Sequence, residues 1–460
     1  MSTRELLAQT AVRAGNYLEG LAERRVFPEP QNIAALDALT EDFPETATPA
    51  QEVLAMLDDI ASPATIGSAG GRYHGFVVGG SLPASLAANW LASAWDQNAG
   101  SAVMSPAAAK LEQIASTWIV DALGLPGSCG IGFVTGATMA NFVALAAARH
   151  SLLKGVGWDV ESQGLFGAPP IQVVVGEQVH VSLLKALALL GLGMDRVERV
   201  PVDDQGRMRT DCLPRLSGPA LVCIQAGNVN SGAFDPATEL CAWAHENDAW
   251  VHADAAFGLW ALACPTRAHL ARGFALADSW ATDAHKWLNT PYDCGLALCR
   301  DASSIPPAML VTASYLLTGD QREPYAYTPE MSRRARGIEV WAALKALGRS
   351  GLSELIERNC VQASRFATQL HAAGFEILNK VELNQVLVAF GSDAQTDRVI
   401  EAIARDGTCW CGGTEWHGRK AMRISVSSWA TSDEDVERSV QAMLRIAHSV
   451  CNKSVNGKIQ

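Results

Sequence analysis

Between about residue 105 and residue 300, short apolar runs alternate with helical patterns, and this alternation constrains the fold more than any other feature. Gly130–Val134, Ile171–Val175, Leu221–Gln225 and Trp250–Ala253 read as strands. Pro106–Leu123, Ala137–His150, Val181–Leu190 and Ala237–Asn247 read as the helices between them. Brief, largely β-branched or apolar strands separated by helices predict an α/β fold, with a parallel sheet covered on both faces. Residues 1–65 read as a helical arm broken by Pro-containing turns, followed by a Gly-rich loop from Gly67 to Gly80. After about residue 310 the pattern changes. Ser332–Leu347, Leu352–Ala373 and Asp433–Ile446 read as helices, and Val386–Phe390 and Met422–Val426 as strands, giving a smaller α+β lobe. The expected division is therefore an arm at 1–65, a large domain at 66–310 and a small domain at 311–460. A polar, Pro/Tyr-rich mobile loop is expected near 318–329.

Composition narrows the function. The chain has 460 residues and a net charge of −12, with no Lys/Arg-rich tract to offset it, which argues against nucleic acid as a partner. Met1–Gly20 lacks an apolar signal core. The most apolar run, Val181–Leu192, is interrupted by Lys185 and falls short of the roughly 18–20 residues of a membrane span. No membrane partner is expected, and the cytoplasm is the expected location. Eleven cysteines, an odd and scattered number, do not make a disulfide framework. Cys409/Cys411 and Cys294/Cys299 lack a second ligand pair at zinc spacing, so no metal is expected.

Four segments carry chemistry. In Asp283-Ala284-His285-Lys286-Trp287, Lys286 follows a β-like run, Asp278–Thr282, and precedes a turn. A lysine at the mouth of a buried sheet is costly as a free cation, which suits it to form a Schiff base; the alternative is an exposed loop lysine. In Val251-His252-Ala253-Asp254-Ala255-Ala256, strand alternation puts His252 and Asp254 on one face. A buried acid at a strand's carboxyl end needs a cationic partner such as a protonated pyridine nitrogen, unless it is simply a helix N-cap. Phe133-Val134-Thr135-Gly136-Ala137-Thr138 runs from strand to helix through small residues, a turn that suits phosphate but resembles many other α/β turns. Glu177-Gln178-Val179-His180 places an imidazole between a strand and a helix, able to lie over a planar ring or to serve structure alone.

In this order and spacing, the segments resemble the group II pyridoxal-phosphate (PLP)-dependent amino-acid decarboxylases, which include aromatic-amino-acid, glutamate and cysteine-sulfinate decarboxylases. The signatures are His285-Lys286-Trp287 and His252-Ala253-Asp254-Ala255-Ala256, and the resemblance runs from about Tyr73 to Leu444. It implies the fold-type-I PLP-dependent transferase architecture, a large sheet domain with a smaller C-terminal one. It also implies a homodimer with the active site between subunits and the arm packed on the partner. Pyridoxal 5′-phosphate would be held as a Schiff base by Lys286. Asp254 would pair with its ring nitrogen, and His180 would stack on the ring. Ala137 and Thr138 would hold the phosphate beside His285, and Asn228 and Ala256 would line the cofactor. Arg423 matches an arginine that meets the substrate carboxylate in relatives. Tyr325, with Tyr327 close behind, is the candidate proton donor on the mobile loop.

The chain departs from the family in three places. Asp283 and Val229 stand where relatives carry asparagine and a hydroxyl residue. Asp96–Ser101 falls where aromatic-substrate members place apolar residues, and Asn98 there points to a polar or acidic substrate. The implied reaction is decarboxylation of an L-amino acid to an amine and CO2. Its rivals on the same scaffold are aldolase or lyase chemistry, transamination and decarboxylation-coupled oxidation to an aldehyde.

Overall fold

The computed structural model describes residues 1–310 and 322–456. The chain forms two compact units, one comprising 1–80, 362–378 and 386–460, the other 81–361 and 379–385.

The second unit is built on a seven-stranded sheet: β1 (Gly130–Val134), β2 (Gln172–Gly176), β3 (Glu198–Val200), β4 (Ala220–Gln225), β5 (Trp250–Asp254), β6 (Ser279–Asp283) and β7 (Gly295–Cys299). Their order is β1-β7-β6-β5-β4-β2-β3. The strands from β6 to β3 run parallel, whereas β7 is antiparallel to both β1 and β6. The sheet is thus mixed. Register pairs Gln225 with Asp254 and Asp254 with Ala281, so the carboxyl ends of β4, β5 and β6 lie side by side. In such sheets, ligands bind beyond these carboxyl ends.

The helix Ala137–Gly155 covers this sheet with Ala140, Val143, Ala144 and Ala147, all fully buried. Alanines there let the helix axis lie close to the strands, and burying such apolar surface contributes on the order of 25 cal/mol per Å2. At the β1 edge, a side chain on Gly132 would collide with the carbonyl of Tyr327, so glycine is required for that close approach.

The first unit contains a four-stranded sheet of β8 (Glu376–Ile377), β9 (Gln385–Ala389), β10 (Gly412–Trp416) and β11 (Arg419–Ser425), ordered β10-β11-β9-β8. The segment around Tyr73 joins it. His74 N–H donates to the Trp410 carbonyl (2.8 Å), and Ser425 N–H donates to that of His74 (2.9 Å).

These units differ from the division expected at 65 and 310. Residues 66–80 follow the C-terminal sheet because their backbone is hydrogen-bonded to it. Residues 322–361 follow the large sheet: Arg322 and Arg333 donate to the β1 carbonyls of Ile131 and Phe133, and both pair with buried Glu112. Of the expected mobile loop, residues 318–321 lie outside the described residues. The remainder is built into the protein body. Pro324–Tyr327 forms a 3-10 turn with Tyr325 5% exposed, and Tyr325 N–H donates to the Gly100 carbonyl (2.9 Å). No helix among the described residues is long and apolar enough to cross a membrane.

Candidate active site

Lys286 stands three residues beyond β6, at the same sheet edge as Asp254, the last residue of β5. Its Nζ lies 3.0 Å from Asp283 Oδ2, and the ammonium favours the charged form of the Asp254 carboxyl. Asp283 is buried and divided between partners: its Oδ1 accepts from Ala137 N–H (2.6 Å) and lies 3.5 Å from His285 Nε2. Cys294 N–H donates to His285 Nδ1 (3.1 Å), which leaves the imidazole proton on Nε2, facing Asp283. Burial lowers the His285 pKa, and its ring stacks on Tyr292 at 4.3 Å.

Asp254 is the electrostatic centre of the arrangement. Burial pushes its carboxyl pKa up, against the pull of His180 and Lys286. Its Oδ2 is buried and has no hydrogen-bond partner among the described residues. His180 caps the helix Val181–Leu189, where its Nδ1 accepts from Ser182 N–H (3.3 Å) and lies 2.7 Å from Ser182 Oγ. An accepting Nδ1 puts the proton of the neutral ring on Nε2. His180, Gln225, Asp235 and Asp254 line one small cavity of about 10 Å3.

The structure thus brings Lys286, His285, Asp254, His180 and the Gly136-Ala137-Thr138 turn to one edge of the sheet. Ala256 belongs there as well: its carbonyl accepts from Asp283 N–H (2.9 Å). The other expected residues have local partners of their own. Asn228 is a turn organiser: its Oδ1 accepts from Asn230 and Ser231 N–H, and its Nδ2 donates to Gln225. Asn98 Oδ1 accepts from Gly100 and Arg333 N–H, and its Nδ2 donates to Ser332. One Nδ2 hydrogen stays free of these bonds, and Asn98 lines a surface pocket with Asp96, Ser332 and Arg333. Tyr327 packs at the β1 edge with the Arg322 guanidinium 4.3 Å from its ring centroid. Arg423, on β11 of the first unit, is largely buried beside Tyr73, and desolvation lowers its pKa.

Sequence reasoning overlooked Asn141, a fully buried amide on the helix Ala137–Gly155 that favours the ionised form of Asp254. A polar side chain among the alanines of a buried helix face was the available signal. Ser182, two residues after His180, was overlooked as well.

A mixed α/β sheet with a lysine, a buried acid and an imidazole brought together beyond its parallel strands suits a planar, cationic cofactor. The pyridoxal-dependent decarboxylase conserved domain matches residues 30–392, and the chain belongs to that family. The aromatic-L-amino-acid decarboxylase of Bacillus atrophaeus is 25% identical over 431 residues, covering 89% of this chain and 87% of the relative. A 4-hydroxyphenylacetaldehyde synthase of Rhodiola rosea is 28% identical over 375 residues, covering 75% and 74%. The crystal structure of Oryza sativa TDC with PLP and tryptamine superimposes with a TM-score of 0.88 over 97% of each chain at 22% identity, a likeness of fold. The protein is a pyridoxal-phosphate-dependent amino-acid decarboxylase, a carboxy-lyase.

The residues present fit that cofactor. An unpartnered, buried carboxylate oxygen on Asp254 suits a protonated ring nitrogen, because a buried anion needs a cation. At the phosphate end the fit depends on Thr138, His285 and the helix terminus, since the Ala137 N–H is taken by Asp283.

Proposed function

We propose that Lys286 is the amine that holds the cofactor covalently, and that the reaction removes the α-carboxylate of an L-amino acid as CO2, leaving the amine. The observation that carries this reading is the place of Lys286, paired with Asp283 and acting electrostatically on Asp254, whose Oδ2 is buried without a partner among the described residues. Bound pyridoxal phosphate supplies the electron sink for the pair left on the α-carbon. The chain does the rest. Asp254 holds the ring nitrogen protonated. His180, fixed by Ser182, would stack on the ring. Thr138, His285 and the Ala137 turn hold the phosphate, with Ala256 and the Asn228 turn beside the cofactor. Tyr325 is the donor of the proton to the α-carbon, to be compared with Tyr327. Arg423 meets the substrate carboxylate, so Arg423→Lys is expected to raise KM with little change in kcat.

The protein works as a homodimer. The helix Thr3–Gly20 buries none of its residues and exposes Leu7 (59%) and Val12 (63%), apolar surface that a second copy would cover. Sedimentation equilibrium tests this: a monomer at micromolar concentration rejects it.

The test of the reaction is incubation with PLP and a panel of L-amino acids, aromatic ones first because curated relatives are named for them, then acidic ones. CO2 and a stoichiometric amine from one of them, absent with Lys286→Ala, support decarboxylation. A second reading rests on the aldehyde synthase among the relatives: aldehyde in place of amine would select it. Of Tyr325→Phe and Tyr327→Phe, the variant that loses amine while still consuming substrate identifies the donor; amine formation unchanged in both rejects the assignment.

A further inference from the structure

Behind Asp254 runs a buried chain of polar groups that the catalytic reading does not use. Trp250 Nε1–H donates to Ser279 Oγ (2.8 Å), and Ser279 Oγ lies 2.9 Å from His252 Nδ1. His252 Nε2 lies 2.8 Å from Asn141 Oδ1. Ser279, His252 and Asn141 are all fully buried. Among the described residues Asn141 Nδ2 and Asp254 Oδ2 are both buried without a hydrogen-bond partner, and Asn141 acts on Asp254 in the direction of its ionised form.

The direction of these bonds follows from what each group can do. Indole nitrogen only donates, so Ser279 Oγ accepts from Trp250 and keeps its own proton to give. His252 is neutral, its pKa lowered to about 3 by burial, so one ring nitrogen donates and the other accepts. Asn141 has two orientations. With Oδ1 toward Asp254, two acceptors would face each other in a dry interior, which is costly. With Nδ2 toward Asp254, Oδ1 faces His252 and must accept from Nε2–H. His252 Nδ1 then accepts from Ser279 O–H, and every bond in the chain is consistent. Strand alternation supplies the geometry: His252 and Asp254 share a face of β5, the face covered by the helix that carries Asn141.

We propose that Asn141 and His252 are positioning residues for Asp254: His252 fixes the Asn141 amide so that its N–H faces the carboxylate and holds it oriented and ionised toward the cofactor ring nitrogen. This rests on the reading that Asp254 pairs with that nitrogen. Neither residue is proposed to touch the substrate.

The experiment measures equilibrium dissociation constants of the apoenzyme for PLP and for its 1-deaza analogue, in which the ring nitrogen is a carbon. The quantity read is their ratio, which reports only what depends on the nitrogen. Asn141→Ala and His252→Leu are expected to shrink the preference for PLP by about tenfold, the scale of a hydrogen bond to a charged group. His252→Gln, which keeps an N–H donor, is expected to retain most of it. Equal weakening toward both ligands, with the ratio unchanged, would show a packing role and overturn the proposal. Should Asn141→Ala fail to fold, Asn141→Ser is read in the same way. Asp254→Ala separates the two levels of the argument. If it abolishes the preference while Asn141→Ala and His252→Leu leave it intact, the Asp254 reading stands and this proposal fails. If Asp254→Ala itself leaves the ratio unchanged, the reading of Asp254 fails and the proposal with it.

Discussion

Asp283 shows how one substituted atom reshapes a site. An asparagine there, as in relatives, could still accept from Ala137 N–H, but it would bring no charge to Lys286. Here the carboxylate does both, at 2.6 and 3.0 Å, and it places a negative charge at the turn where a phosphate is expected. Two like charges about 4 Å apart interact by roughly 1–4 kcal/mol between water and a protein-surface dielectric. Asp283→Asn is therefore expected to tighten binding of inorganic phosphate to the apoenzyme by at least about tenfold, measured by competition against PLP reconstitution. Unchanged or weaker phosphate binding would mean that the carboxylate does not face the phosphate position. At this scale, legibility in the sequence depended on range. Lys286, His285 and Asp283 could be read because they are consecutive with a strand end. Asn141 stood out only as a polar residue on an alanine-rich helix face; what it bonds could not be read, because its partner His252 lies 111 positions away in sequence and the bond exists only once the helix is on the sheet.

Strands β1, β2, β4 and β5 were legible because each is a short apolar run between helices, and they stand within a residue or so of where the pattern put them; the parallel edge strand β3, three residues long with only Val200 buried, was not. β7 escaped notice. Gly295–Cys299 follows β6 after a turn with no intervening helix, so the alternation that exposes the other strands is broken, and the strand runs antiparallel. The reading of Ser332–Leu347 and Leu352–Ala373 as two helices matches a single run, Gly337–Ala372, interrupted by a non-helical Gly348. β10 was missed because it is a polar pairing strand with alternate exposed residues. β7 also sets the turn at Gly136, the one proposed to hold the phosphate. A Cβ on Gly295 would stand 2.5 Å from Gly136 Cα, so the strand and the helix start meet backbone to backbone. Gly295→Ala is thus expected to push the turn outward, costing roughly 1–3 kcal/mol of stability by overpacking and weakening PLP affinity with it. Gly155→Ala, at the far end of the same helix with nothing within 4 Å of the added methyl, is the control and should be neutral or mildly stabilising. Thermal melts alongside PLP titrations decide this; equal behaviour of the two variants would refute the close-contact argument.

Acid stability of the whole molecule is set in part by histidines that the fold keeps neutral. His74 is completely buried, with Nε2 3.3 Å from Ser439 Oγ, its ring edge-on to Phe366 and its Nδ1 without a partner. Burial lowers its pKa from 6.5 to about 4, against the weaker pull of Asp435. The sign follows from proton counts. Between these two values the unfolded chain binds a proton at this position and the folded chain does not, so stability falls as the pH falls. The contribution is fully present above pH 6.5 and is lost progressively toward pH 4, on the order of 3 kcal/mol over that window, because one pKa unit corresponds to 1.36 kcal/mol. Carboxylates titrate in part of the same range, so the slope of the wild type alone cannot assign the effect. His74→Phe removes the titrating group and the unpartnered nitrogen while keeping an aromatic ring against Phe366. The expected result is a melting temperature close to wild type at pH 8 and a progressively higher one as the pH falls from 6.5 to 4.5, by several degrees at the lower end. Melting curves of the two proteins that stay parallel through this range would mean that His74 takes up its proton without unfolding, and that the pocket around it opens to water while the rest of the fold persists.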